Sequence, residues 1–218
     1  MSKQKLSNYV YDQIKDRILT NQYRPGDRLS ETQIADEFDM SRTPVREAIK
    51  ILSKENLVEV HNGAGIFVKM VTLKEIVDIF QVRMILECSA LKLAWENIAL
   101  AELEELESLW VELSSRIFAG EKVNSIEIAN MDSDLHLFIA QRCSNKYLAD
   151  LLIETKERVR RFQQLSAESL GNAEETVRQH LEILQLMKCK NQEAALSAMK
   201  KHIQNAMDYI VQSKQYVV

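Results

Sequence analysis

Both prolines of this chain, Pro25 and Pro44, and three of its five glycines, Gly26, Gly63 and Gly65, fall before residue 66. Proline fixes φ and glycine frees it, so these two residue types supply most tight turns. A 218-residue chain with so few of them cannot build the many hairpins of a β-sandwich or the glycine-rich turns of an α/β fold. Long helices are the alternative, with one punctuated region near the amino end. The shift in composition marks a boundary near residues 69–73, which predicts a first domain over 1–70 and a second over 71–218.

In the first domain, Val10, Ile14 and Ile18 recur at helical spacing until the turn sequence Arg24-Pro25-Gly26-Asp27. Ser30-Glu31-Thr32-Gln33 has the form of a capping box and leads into Ile34, Ala35 and Phe38. A third helix starts around Ser41-Arg42-Thr43-Pro44, because a proline costs nothing in a first turn, where its missing N–H has no partner to lose. Val45, Ala48, Ile49 and Leu52 then form an inward stripe, leaving Arg42, Arg46 and Lys50 to point outward. Two β-prone runs, Leu57–His61 and Gly65–Lys69, flank Asn62-Gly63-Ala64 as a hairpin. Three helices followed by a hairpin are the parts of a winged helix-turn-helix.

Beyond residue 70 the pattern is helical throughout. Helices are expected near 73–98, 100–119, 123–143, 146–168, 173–189 and 192–212, the first opened by a Thr72–Glu75 capping box. The fold class is therefore mainly α, a winged helix-turn-helix with a small β-hairpin wing followed by an all-α helical bundle. The acidic run Glu102–Glu107 reads as a solvated helix face.

Charge and cysteine content bound the function. The chain carries a net charge of −4, yet residues 1–70 sum to +1 and the remainder to −5. A near-neutral first domain can present the local cationic surface that a phosphate backbone feels. Cys88, Cys143 and Cys189 are odd in number and far apart, which argues against a disulfide framework or thiolate zinc site. With no signal-like apolar stretch at Met1–Leu6 and no 18-residue apolar run, the expectation is a cytoplasmic protein without membrane association.

Two constellations carry chemistry. A helix entering the major groove presents its N-terminal side chains to base edges, and arginine reads guanine through paired hydrogen bonds. Arg42 and Arg46 lie four apart at such an end, and Thr43 can bond a phosphate or a base. In the second domain, His136, His180 and His202 sit on otherwise apolar helix faces, and Asp132 precedes His136 by one turn. Facing helices build metal sites from such inward side chains, and one Asp with three His suits Zn, Ni, Mn or Fe. Spacing alone equally allows each histidine to be a hydrogen-bonded core residue.

Residues 8–69 resemble the DNA-binding domain of the GntR family of bacterial transcription regulators. The resemblance is carried by Pro25–Glu31, Ile34-Ala35, Ser41-Arg42-Thr43-Pro44-Val45-Arg46-Glu47-Ala48 and Gly65-Ile66-Phe67-Val68. It implies that Arg42, Thr43 and Arg46 contact DNA and that the wing at Gly63 reaches the adjacent minor groove. Thr32 stands where many members have arginine, and Asn56 where the family often has glycine. Residues 73–212 are similar to the helical FCD effector domain of the FadR subfamily. That likeness implies a divalent metal on Asp132, His136, His180 and His202, with Leu135 in place of the usual aromatic. Arg83 offers a planar fork for an effector carboxylate, or pairs at the surface with Glu87; Arg160 and Arg161 are alternatives.

The reading is a homodimeric repressor-type regulator that binds double-stranded operator DNA and senses a small carboxylate, not an enzyme. Two rivals remain. A metal-dependent enzyme lacks an evident general base, with Glu174 and Glu175 as positional guesses only. A protein-interaction module is disfavoured by the basic face of Arg42, Arg46 and Lys50.

Overall fold

A computed structural model describes residues 3–20, 22–166 and 173–213, in two compact units that divide between Thr72 and Leu73. The first unit runs α1 (Lys3–Leu19), β1 (Arg28–Leu29), α2 (Glu31–Glu37), α3 (Arg42–Lys54), β2 (Val58–His61) and β3 (Gly65–Val68). Val10, Ile14 and Ile18 of α1 meet Val45, Ala48, Ile49 and Leu52 of α3 in one core, all of them buried. The i, i+3, i+4, i+7 stripes therefore do what their period requires. The Ser30 hydroxyl caps α2 by accepting from the Gln33 amide at 3.3 Å, and Pro44 sits in the first turn of α3. Asn56 adopts φ +58° just after α3, the left-handed conformation that the family's glycine would supply and that asparagine tolerates.

The wing is a three-stranded antiparallel sheet in the order β1-β3-β2, with Val58 opposite Val68 and Arg28 opposite Phe67. The sequence pattern encodes the hairpin but not β1. Two residues carry no periodicity, and this strand exists only because β3 pairs with it. Gly26 and Val68 lock the edge, the Gly26 amide donating to the Val68 carbonyl and the Val68 amide to Asp27, both at 2.8 Å.

The second unit comprises α4 (Leu73–Ala94), α5 (Leu100–Phe118), α6 (Ser125–Arg142), α7 (Lys146–Ser166), α8 (Ala173–Lys188) and α9 (Gln192–Ser213). Helix α4 packs on α6, α7 and α9, α5 packs on α8, and α8 on α9, around Phe80, Trp110, Leu135, Leu184 and Ile203. The helix expected to end at residue 168 is described as far as Ser166, and the side chains of Arg160 and Arg161 lie outside those described. The acidic run is not wholly a solvated face. Glu102 accepts from Arg142 of α6, and Glu107 pairs with Lys188 of α8 at 2.5 Å, so both half-buried carboxylates tie helices together. A run of acidic residues reads as solvated because the partners lie 40 and 81 positions away. No helix among the described residues is long and apolar enough to cross a membrane.

Candidate functional site

Helix α6 supplies Asp132 and His136 one turn apart, α8 supplies His180 and α9 supplies His202. All four are buried, and one ligand atom from each lies within 4.8 Å of the others. Asp132 Oδ1 is 3.2 Å from Nε2 of both His180 and His202 and 3.7 Å from that of His136, whose Nε2 is 3.2 Å from His202 Nε2. Three ring nitrogens and a carboxylate oxygen thus face one point.

Each ring is turned by its other nitrogen. His180 Nδ1 donates to the Thr176 carbonyl at 2.7 Å, and His202 Nδ1 donates to Gln179 Oε1 at 3.0 Å. The Gln179 amide group donates in turn to Glu175 at 2.7 Å, which leaves its oxygen for His202. His136 Nδ1 lies 2.5 Å from Glu87 Oε2, a contact made on charge rather than hydrogen-bond alignment. Holding Nδ1 by an acceptor directs the Nε2 lone pair inward, the tautomer a metal ligand needs. His180 Nε2 is itself buried without a hydrogen-bond partner. An orphaned lone pair in a polar cluster is costly unless a cation takes it, so the donor set fits a divalent ion. Trp110 lies flat on His180, ring centroids 4.1 Å apart and planes 5° from parallel, which fixes that imidazole from its face.

Charge is distributed unevenly. Burial opposes ionisation of Asp132, but His136, His180 and His202 hold its carboxyl well below the usual range. Burial would also neutralise His136, yet the Glu87 carboxylate overrides it and the imidazole is raised to about 9. His202 goes the other way, to about 3, through burial and then the neighbouring His180. Glu87 is held at about 2 because Arg83 and His136 outweigh its own burial.

Of the two sequence expectations for Arg83, the structure bears on the pairing with Glu87. Arg83 pairs with Glu87 one turn on, Nε to Oε1 at 2.5 Å, but the pair is buried rather than exposed, and Nη2 is 3.7 Å from Asp132. Its Nη1 has no hydrogen-bond partner. A cavity of about 30 Å³ opens beside it, lined from α4, α6 and α7. Sequence reasoning missed Glu87 as the partner of His136, along with Gln179 and Trp110. Gln179 adjoins His180 in the chain, but a single glutamine carries no signal of its own. Glu174 and Glu175 are not part of the cluster; Glu175 pairs with Arg178 at 2.6 Å.

In the first unit Arg42, Thr43, Arg46 and Lys50 are all exposed on one side of α3, opposite its buried stripe. Arg46 Nε is 2.8 Å from Glu31 of α2, and Lys50 is 2.8 Å from Glu47. Gly63 is at the hairpin tip with φ +79°, and nothing lies within 4 Å of the position a Cβ would take.

Residues 6–68 match the gntR family of bacterial regulatory proteins, and residues 78–205 match the FCD domain. The chain belongs to the FCD-bearing GntR regulators. The HTH-type transcriptional regulator YdhC of Bacillus subtilis is 28% identical over 200 residues, covering 92% of this chain and 88% of that protein. The HTH-type transcriptional repressor RspR of Escherichia coli K12 is 24% identical over 212 residues, 97% and 92% of the two chains. Among solved structures, a GntR transcriptional regulator from Rhodococcus sp. RHA1 superposes with a TM-score of 0.76 at 24% identity over 94% of this chain and 97% of that one. E. coli McbR/YncC does so with 0.74 at 25%, over 97% and 98%. This GntR protein is a transcriptional regulator and not an enzyme.

Proposed function

We propose that this GntR regulator is a homodimer that binds an inverted-repeat operator through α3 and the wing. A small carboxylate effector entering the cavity beside Arg83 controls that binding. Arg42, Thr43 and Arg46 stand at the end of α3 that would face base edges, and Lys50 continues the cationic side toward phosphate. The exposed Arg46–Glu31 pair is worth about 0–1 kcal/mol, so a guanine edge can replace it. Gly63, without a side chain, permits close approach of the wing to the minor groove. One recognition helix makes too few contacts for specificity, which two half-sites double. Such DNA is met in the cytoplasm.

The observation that carries the sensor half is the convergence of Asp132 Oδ1 with three Nε2 atoms whose rings are fixed from behind. These four residues would hold a divalent ion, for which Zn, Ni, Mn or Fe is suitable by ligand type. When bound, the ion supplies positive charge and open coordination positions to a carboxylate. Arg83, kept charged by Glu87 and Asp132 against its burial, presents Nη1 to the same ligand. Effector binding changes DNA affinity only by favouring one arrangement of the two heads, so coupling runs through the connecting residues 69–75.

Two measurements test the halves separately. Arg46→Ala is expected to weaken operator binding by about 1–3 kcal/mol while leaving the dimer intact; unchanged affinity contradicts the assigned recognition helix. His180→Ala combined with His202→Ala is expected to abolish bound metal. Full occupancy by elemental analysis contradicts the assigned ligands.

A further inference from the structure

The cavity beside Asp132 and His136 has a polarity that the effector reading does not use. Every polar group on its wall can be followed to a partner or to none. Asp132 is engaged by the histidines, Glu87 by Arg83 and His136, and the Thr155 hydroxyl donates to the Leu151 carbonyl at 2.8 Å. Two further groups are left over. Arg83 Nη1 and Ser133 Oγ are buried without hydrogen-bond partners, on residues only 3% and 8% exposed. Buried polar atoms are rarely left unsatisfied, so an orphaned guanidinium nitrogen and an orphaned hydroxyl on one cavity ask for an acceptor between them.

Helix α7 lines the same cavity with Leu152, Lys156 and Val159. Lys156 is 27% exposed, and its ionic contact is Asp134 at 3.9 Å, a 71% exposed carboxylate beyond hydrogen-bond reach. Its ammonium therefore stands where the cavity meets solvent, held by a water-screened contact that a ligand can displace at little cost. The remaining wall is apolar, formed by Leu137 and Ala140 of α6 with Leu152 and Val159 of α7. A cavity of about 30 Å³ has room for two or three water-sized groups, which limits the ligand to a short one.

We infer that the effector of this site is a short dicarboxylate, one carboxylate taken by Arg83 Nη1 and Ser133 Oγ beside the centre and the second by Lys156. A monocarboxylate of equal length satisfies Arg83 and Ser133 but leaves a methyl group against the Lys156 ammonium. Lys156 is the residue that determines specificity, and it is not one of the four ligand-type residues. The inference rests on the reading that a carboxylate effector enters this cavity.

The test is calorimetric titration of the full-length, metal-loaded protein with malonate, succinate and glutarate, each against the monocarboxylate of the same carbon number. At least one diacid is expected to bind about tenfold or more tightly than its partner, with a preference that weakens as salt is added. Lys156→Met, which keeps the stem and removes the charge, is expected to abolish that preference while leaving monoacid binding and metal content unchanged. Ser133→Ala is expected to weaken both ligand types alike. Equal binding of diacid and monoacid by the wild type, or a preference that survives Lys156→Met, overturns the inference while leaving the carboxylate reading in place. No binding of any acid by protein with full metal content overturns both.

Discussion

Metal uptake by this regulator is expected to be coupled to one proton, and the coupling has a definite range. Glu87, 2.5 Å from His136 Nδ1, raises that imidazole from 6.5 to about 9 in the metal-free protein. Protonated imidazole cannot ligate, so the Nε2 proton must leave before His136 joins Asp132, His180 and His202. At pH 7 about one molecule in a hundred has His136 unprotonated, and apparent affinity therefore lies about 100-fold below its alkaline plateau. It should rise about tenfold per pH unit from 7 until it levels near 9. The sign for folding is the reverse. A raised histidine pKa adds stability that is fully present below 6.5 and lost as pH passes 9, about 3 kcal/mol for the metal-free chain. Competition with a chelator across pH 7–9, and calorimetry in two buffers of different ionisation enthalpy, read the slope and the proton count directly. About one proton released at pH 7 is expected. Glu87→Gln removes the group that holds the proton, and burial with Arg83 then favours neutral His136, so release should fall toward zero. An affinity that is flat from pH 7 to 9, with no proton released by the wild type, refutes the coupling.

Three further outcomes follow from the geometry. Gln179→Leu removes the acceptor that orients His202 and should cost 10–100-fold in metal affinity, read by the same competition assay, with little change in helix content. Lys190→Gly relieves a non-glycine residue at φ +57° at the end of α8 and should raise stability by about 1 kcal/mol in denaturant unfolding. In the metal-free protein Glu87, held at about 2, contributes stability present above its ordinary value near 4.5 and lost as pH falls toward 2. Acid titration of the metal-free chain by circular dichroism should show unfolding across that window.

What was legible in the chain is what local period encodes. The stripe Val45, Ala48, Ile49, Leu52 shows which side of α3 is buried and therefore which side Arg42, Arg46 and Lys50 occupy. The one-turn step from Asp132 to His136 shows that both can reach one point. That His180 and His202 reach the same point depends on how α6, α8 and α9 pack, which no single helix records. The supports were less visible still. Glu87 lies 49 positions from His136 and Trp110 lies 70 from His180, so neither pairing leaves a local pattern. Glu102 and Glu107 misled for the same reason, since an acidic helix face looks identical whether solvent or Arg142 and Lys188 stand opposite. Strand β1 was invisible because two residues cannot alternate.

The flat contact between Trp110 and His180 gives this regulator an internal optical gauge. A buried indole pressed against an imidazole emits at short wavelength, and its brightness responds to whatever charge that imidazole carries or shares. Loading of the proposed centre is therefore expected to be readable on the native chain, in real time and without a dye, by exciting a chromophore the fold has already installed.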